Sequence, residues 1–180
     1  MKDDTTTQCG VYYQFYIDYM ITAGKTLKVT ATDVKATGSD GTTDVTSTSP
    51  SIAQAARVGI IAASTYSKGT GDAAGDTVSY ENSTNAKEYT IAEAAKTDYN
   101  LEELRALGYT GTTEYKSDLT RLDTTGATFK NTTALATTKD KAFEYGSLNI
   151  YVWFDGTDYA CTNAIFSQTL TMKLTFTVTN

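Results

Sequence analysis

The stretch LTMKLTFTVTN (170–180) alternates strictly between apolar and polar residues. Successive side chains of a β-strand point to opposite faces of the sheet, so this period predicts a strand with one apolar and one polar face. The polar face would carry four threonines and a lysine. The apolar face would consist of Leu170, Met172, Leu174, Phe176 and Val178.

The same period opens the chain in GVYYQFYIDYMI (10–21), which predicts a first strand with one apolar side. The side chains predicted on that side are Val11, Tyr13, Phe15, Ile17 and Tyr19. The segment KTLKVTATDV (25–34) repeats the alternation, and the polar, Gly- and Ser-punctuated stretch 35–51 that follows predicts a loop.

Further strands are predicted in the middle and late parts of the chain. AARVGIIAAS (55–64) is a short continuous apolar run, which is typical of a strand buried on both faces. Alternation returns in FEYGSLNIYVWFDG (143–156), while DTVSYE (76–81) and KEYTI (87–91) are weaker strand candidates.

A helical signal interrupts this pattern. Around Asn100 the chain is rich in Ala, Leu, Glu and Lys, and Asn100 followed by Glu103 is typical of a capping box, with Gly108 as a stop. We predict a short helix over residues 101–107, within a helical insertion around 91–108. The whole of 90–141 is interpreted as an insertion between strands.

Many short strands with Gly-rich turns and one helical excursion predict an all-β protein, a jelly-roll-like antiparallel β-sandwich. The length of 180 residues fits a single domain over 1–180, with residues 1–10 as a flexible or linking N-terminal segment. No repeat of fixed period is visible, which argues against a solenoid.

Composition and charge limit the partners and the location that we expect for this protein. The formal net charge of −6 argues against nucleic acid as a partner. Thr makes up about a fifth of the chain and there are 13 Tyr, which is the usage of an exposed β-protein. No apolar run is long enough for a membrane span. The N-terminus lacks the apolar segment of a signal peptide; we interpret Met1 as replacing a removed leader and expect an extracellular or cell-surface location.

The chain contains no His, which excludes Ser-His-Asp and Cys-His catalysis and removes the commonest zinc ligand. We predict neither enzymatic activity nor a cofactor. Asp155 and Asp158 flank Gly156 and are candidates for calcium binding or a glycosidase pair, but an Asp-Gly dipeptide favours a hairpin turn. Arg57 lies in the buried run, and if it faces inwards it must pair with a carboxylate.

Surface aromatic residues and sequons suggest a second kind of partner. Trp153 with exposed tyrosines such as Tyr151 could stack on sugars, so polysaccharide is an alternative partner and a carbohydrate-binding or adhesin module an alternative function. Asn82 and Asn131 begin N-x-Ser/Thr sequons and are glycosylation candidates.

Three segments taken in order resemble secreted β-sandwich proteins of the TasA/camelysin type from Gram-positive bacteria. They are an aromatic first strand, a central Ala-Arg-Val run, and a late Trp-x-acid-Gly-x-Asp-x-x-Cys-x-Asn run. The two motifs fall on Ala56, Arg57, Val58, Trp153, Asp155, Gly156, Asp158, Cys161 and Asn163. The resemblance implies a jelly-roll subunit of an extracellular filament or biofilm-matrix fibre, whose partners are copies of itself. Camelysin-like members have also been described as proteases, but without His the chain has no H-E-x-x-H site.

In such fibres an N-terminal segment completes the neighbour's sheet. Residues 1–8 have no alternating apolar residues and would donate poorly, so residues 11–19 are the candidate donor strand, through Val11, Tyr13, Phe15, Ile17 and Tyr19. Cys9 and Cys161 are predicted to form a disulfide, because two cysteines of an exported chain usually pair. The bond could lie within one subunit or, if the first strand is donated, between two.

Overall fold

The computed structural model describes residues 13–48, 50–63, 65–67, 77–79, 86–92, 119–129, 134–138, 141–155, 158, 161 and 163–180. The strands are β1 Tyr13–Thr22, β2 Thr26–Thr37, β3 Ala56–Ala62, β4 Thr65–Ser67, β5 Thr77–Ser79, β6 Ala86–Thr90, β7 Thr120–Arg121, β8 Ala127–Phe129, β9 Ala134–Thr138, β10 Lys141–Phe154 and β11 Thr169–Thr179. A short helix, α1, spans Ile52–Ala55, and a 3₁₀ turn spans Asn163–Ile165.

The strands form two larger sheets and one small hairpin. Sheet A has the order β1-β10-β3-β6-β7, with β9 pairing to the start of β10, and sheet B has the order β11-β2-β8. The pairs are antiparallel except for β6 with β7, and β4 pairs with β5 separately. The prediction of an all-β, antiparallel-rich sandwich is therefore confirmed, while the jelly-roll arrangement of its strands stays a prediction.

The core lies between sheets A and B, where the predicted apolar faces meet. Its centre consists of side chains that are almost completely buried, namely Val29 and Ala31 of sheet B and Val58, Ile60, Leu148 and Ile150 of sheet A. Each large aliphatic side chain buried in this way stabilises the fold by about 1.5–3 kcal/mol. The prediction of β3 as a strand buried on both faces is confirmed, because Arg57 and Ile61 on its other face are buried too.

A second small core forms beside α1. Ser51 and Gln54 form a capping box, in which the Ser51 hydroxyl accepts from the Ala53 N–H and the Gln54 side chain accepts from the Ser51 N–H. The buried residues of this core are Ala36, Ile52, Ala53, Ala55, Ala92 and Ile165.

Earlier in the predicted loop, the Thr43 hydroxyl and the N–H groups of Thr43 and Thr42 hold the pKa of Asp40 well below its usual range.

The prediction of an insertion over 90–141 is wrong for residues 119–129 and 134–138. They supply β7 to sheet A, β8 to sheet B and β9 to the start of β10, and Leu122 is fully buried in the core. These strands are only two to five residues long, too short for a clear period of alternation. The predicted helix over 101–107 lies outside the described residues.

Gly59 allows the Trp153 ring to lie close to β3. Gly59 is opposite Tyr151 in the register, and a Cβ added to it would come within 2.9 Å of Trp153 Cζ3. We expect Gly59→Ala to lower the free energy of unfolding by about 1–3 kcal/mol, because the Trp153 ring must move away from β3 to make room for the added methyl group. Urea unfolding measures the change. Gly38→Ala is the matched control, since its added methyl group meets nothing closer than 3.5 Å, and it should change stability by less than about 1 kcal/mol.

Candidate assembly interface

The two sides of the sandwich differ in how they are closed. On one side Leu122 joins the sheets through its backbone, because its N–H donates to Thr90 O of β6 at 2.7 Å and its carbonyl accepts from Ala31 N of β2 at 3.0 Å. On the other side lie β1, the last strand of sheet A, and β11, the last strand of sheet B. Within the described residues, no strand pairs with the outer edge of either.

We call the gap between β1 and β11 the open seam. Apolar side chains from both strands point into it and pack against the core, but all of them are only partly buried. They are Phe15, Ile17, Tyr19, Leu170, Met172, Leu174 and Phe176. The faces predicted from the alternation are thus confirmed for these residues, and their half-burial shows that the core is incompletely covered at the open seam.

A groove of about 360 Å³ lies at the end of the open seam where β1 begins. Tyr13 forms one wall and is 67% exposed, although it lies on the core-facing side of its strand. The lining residues are Tyr13, Val152, Trp153, Phe154, Leu170, Thr171 and Met172. The groove therefore joins an edge of sheet A to an edge of sheet B and presents mainly apolar side chains.

Strand β1 is held by one neighbour and one short link. It pairs with β10 in an unbroken antiparallel register from Tyr13 opposite Val152 to Thr22 opposite Phe143. Residues 23–25 then carry the chain across to sheet B, through a turn in which Lys25 N–H donates to Thr22 O and Gly24 adopts a φ of +82°. Such a φ favours glycine, and the Gly24 N–H donates to Glu144 Oε1 of β10 at 3.2 Å, so the link is a local turn at the edge of sheet A.

Of the candidate donor residues, Tyr13, Phe15, Ile17 and Tyr19 share the side of β1 that faces the core. Val11 lies outside the described residues. In this structure β1 occupies the edge of β10 in its own chain, so the strand that would be donated is here bound internally. Its donation to a neighbour stays a prediction.

Arg57 is a fully buried cation near the start of β3. As the sequence predicted for a buried arginine, it pairs with a carboxylate. Its Nη2 donates to Asp158 Oδ2 at 2.5 Å and lies 3.6 Å from Asp155 Oδ2. Its Nη1 donates to the carbonyls of Gln54 at 2.7 Å and Ala56 at 3.1 Å, and Glu88 Oε1 lies 3.6 Å from Nε. The guanidinium thereby fastens the segment after β10 onto the end of α1.

Asp155 and Asp158 form a turn, but the predicted hairpin is wrong. Asp158 N–H donates to Asp155 O at 3.0 Å, whereas β10 before the turn and β11 after it belong to different sheets. Both carboxylates face the single Arg57 guanidinium, which contacts Asp158 at 2.5 Å and Asp155 at 3.6 Å. The part of the chain that the structure describes contains no group of three or more potential metal-ligating acids or cysteines.

Cys161 is half-buried and packs on the second core together with Phe154 and Leu170, which also line the groove beside Tyr13. Cys9 lies outside the described residues. The disulfide between Cys9 and Cys161, within or between subunits, therefore stays a prediction.

Electrophoresis without reductant distinguishes the two disulfides. An intrachain bond is expected to give a compact monomer band that slows on reduction, because the cross-link shortens the denatured chain. A bond between subunits gives a ladder that collapses to monomer on reduction. A monomer band with the same mobility in both conditions would contradict the predicted disulfide altogether.

The outer face of sheet A carries a polar aromatic cluster. The Gln14 amide donates to Tyr16 Oη at 2.7 Å and to Asn149 Oδ1 and Tyr151 Oη at 3.1 Å, and the Asn149 amide donates to Tyr151 Oη at 2.7 Å. Tyr16 is 59% exposed, whereas Trp153 lies against Gly59. Polysaccharide as a partner stays a prediction.

The glycosylation candidates Asn82 and Asn131 lie outside the described residues.

Comparison with known proteins returns no relative. No protein-family model matches the chain, and no curated protein and no solved structure matches it. The resemblance to the TasA/camelysin type therefore stays a prediction that depends on the residues that suggested it. Among the described residues, no helix is both long and apolar enough to cross a membrane.

Proposed function

We propose that this protein is a structural subunit of an extracellular filament, and that subunits polymerise when β1 of one copy replaces β1 of the next against its β10. The observation that carries the proposal is the attachment of β1, an edge strand bound to a single neighbour, next to the open seam and joined to sheet B by residues 23–25.

The exchange costs little at equilibrium because it forms the same contacts that it breaks. All ten residues of β1 find identical partners on the β10 of the neighbour, and Phe15, Ile17 and Tyr19 return to the same side of the core. Only the link over residues 23–25 changes conformation. Exchange of an identical element between copies is a low-cost route to assembly.

Head-to-tail exchange produces a filament rather than a closed dimer when the rotation between successive subunits does not close. Each subunit then gives one strand and receives one. The half-buried apolar residues of the open seam lie beside the exchanged strand, so contact between neighbours can cover them further. The net charge of −6 keeps single subunits soluble before they assemble.

Negative-stain electron microscopy and static light scattering of the purified chain test the proposal. We expect filaments whose fraction rises with protein concentration and which add subunits when monomer is supplied. Particles that stay monomeric over the whole accessible concentration range, in both oxidising and reducing buffer, would exclude a self-assembling function.

A further inference from the structure

The last residues of β11 lie beside the first residues of β2 at the end of the sandwich away from the groove. Thr26 is opposite Thr179 in the antiparallel register, and their hydroxyls are 2.6 Å apart. Lys25 directly precedes Thr26 in the chain, and Asn180 directly follows Thr179. The Lys25 Nζ atom there contacts the side-chain carbonyl oxygen, Oδ1, of Asn180.

A carboxyl group lies at the same end. Glu144 of β10 is opposite Ile21 of β1, and its Oε1 accepts from the N–H of Gly24, the residue before Lys25, at 3.2 Å. Its other oxygen, Oε2, is buried and has no hydrogen-bond partner among the described residues. A buried carboxyl oxygen without a partner is costly for folding, so a role for it in chemistry deserves a test.

We propose that Lys25 and Asn180 are the two ends of an intramolecular isopeptide bond. The Nζ lone pair attacks Cγ of Asn180, the Cγ–Nδ2 bond breaks, and an amide forms between Cγ and Nζ. A lysine ammonium and a carboxamide give a secondary amide and one ammonium ion, so atoms and charge balance and no oxidant or reductant is needed.

The fold supplies what this reaction otherwise lacks. A carboxamide is a poor electrophile, but holding amine and carbonyl in contact makes the attack intramolecular, which can replace a very high concentration of free amine. The amine must lose protons and the leaving nitrogen must gain one. We assign this proton transfer to Glu144, the carboxyl group that accepts from the N–H of Gly24, the residue before Lys25.

The cross-link would join the beginning of β2 directly to the end of β11. It fixes Lys25 but leaves residues 23–24 and β1 outside the bond, so in a cross-linked subunit the conformational change of an exchange falls on residues 23–24. Tension on β1 would pass through Lys25 into β11 without extending the chain between them. The inference is independent of the proposed function, because the bond can form in a protein that never polymerises.

Intact-mass measurement of the denatured chain tests the bond. We expect a mass lower than that of the sequence by one ammonia, and a branched proteolytic peptide that contains both Lys25 and Asn180. Lys25→Arg and Asn180→Ala should each restore the full mass. Lys173→Arg is the matched control, because Lys173 is a sheet B lysine paired with Asp33 at 2.6 Å and its replacement should leave the mass deficit unchanged.

Two results would overturn the proposal, and a third would exclude only the role of Glu144. Wild-type chain at the full sequence mass after prolonged incubation at neutral pH excludes the bond, and so does a deficit that survives in Lys25→Arg, which would locate the lost ammonia elsewhere. Glu144→Gln is expected to slow the appearance of the deficit at least tenfold. An unchanged rate would exclude Glu144 as the proton carrier.

Discussion

Replacing Arg57 by methionine is expected to lower the free energy of unfolding by about 3–5 kcal/mol. The side chain of Arg57 is fully buried, and its removal leaves Asp158, itself 4% exposed, without the cation that balances its charge. The carbonyls of Gln54 and Ala56 lose their donor in the same step. Since the total stability of a domain is about 5–15 kcal/mol, this one substitution removes a large part of it.

Urea unfolding followed by circular dichroism measures this effect. Arg121→Met is the matched control, because Arg121 also pairs with a carboxylate, Asp123, at 2.6 Å, but its side chain is 35% exposed. Loss of that pair should cost less than about 1 kcal/mol. Equal effects of the two substitutions would show that burial of the Arg57 cluster contributes nothing to stability.

Cross-linking β1 to β10 within one chain is expected to abolish polymerisation. Asp18 and Ser147 are directly opposite each other in the register, and cysteines at both positions are close enough to form a disulfide across the pair. The substitutions belong in a chain whose Cys9 and Cys161 have been replaced by serine. The oxidised protein should stay monomeric in light scattering and electron microscopy, because β1 can no longer leave its own β10.

Reduction of the same sample supplies the first comparison, since it releases β1 and should restore filament growth. The second is a disulfide of the same kind in sheet B, between cysteines at Thr30 and Thr175, which are also opposite in the register. That bond does not restrain β1, so assembly should proceed at the unmodified rate. Filaments from the oxidised Asp18/Ser147 variant would contradict strand exchange while leaving other modes of assembly open.

Some features of the site had a visible signal in the sequence and others did not. A charged residue inside the apolar run of β3 required a buried partner, so the sequence predicted that Arg57 pairs with an acid. Which acid it contacts was not predictable, because Asp158 lies 101 residues away and reaches Arg57 only after the sandwich has formed. The Lys25–Asn180 contact had no signal, since each residue only stands at one end of an alternating segment and the two are 155 positions apart.

The sequence by itself determined the class of structure and which side chains lie on the apolar side of each alternating strand. A period of two is a local property, so the alternation in β1, β2, β10 and β11 was enough to say which side chains share a side of each strand, although Tyr13 and Val178 are 67% and 52% exposed. Tertiary structure decided which strand pairs with which. Any alternating strand can pair with any other through its backbone, and the choice depends on contacts between residues distant in the chain. The open seam, the attachment of β1 to β10 alone and the meeting of Lys25 with Asn180 all follow from that choice.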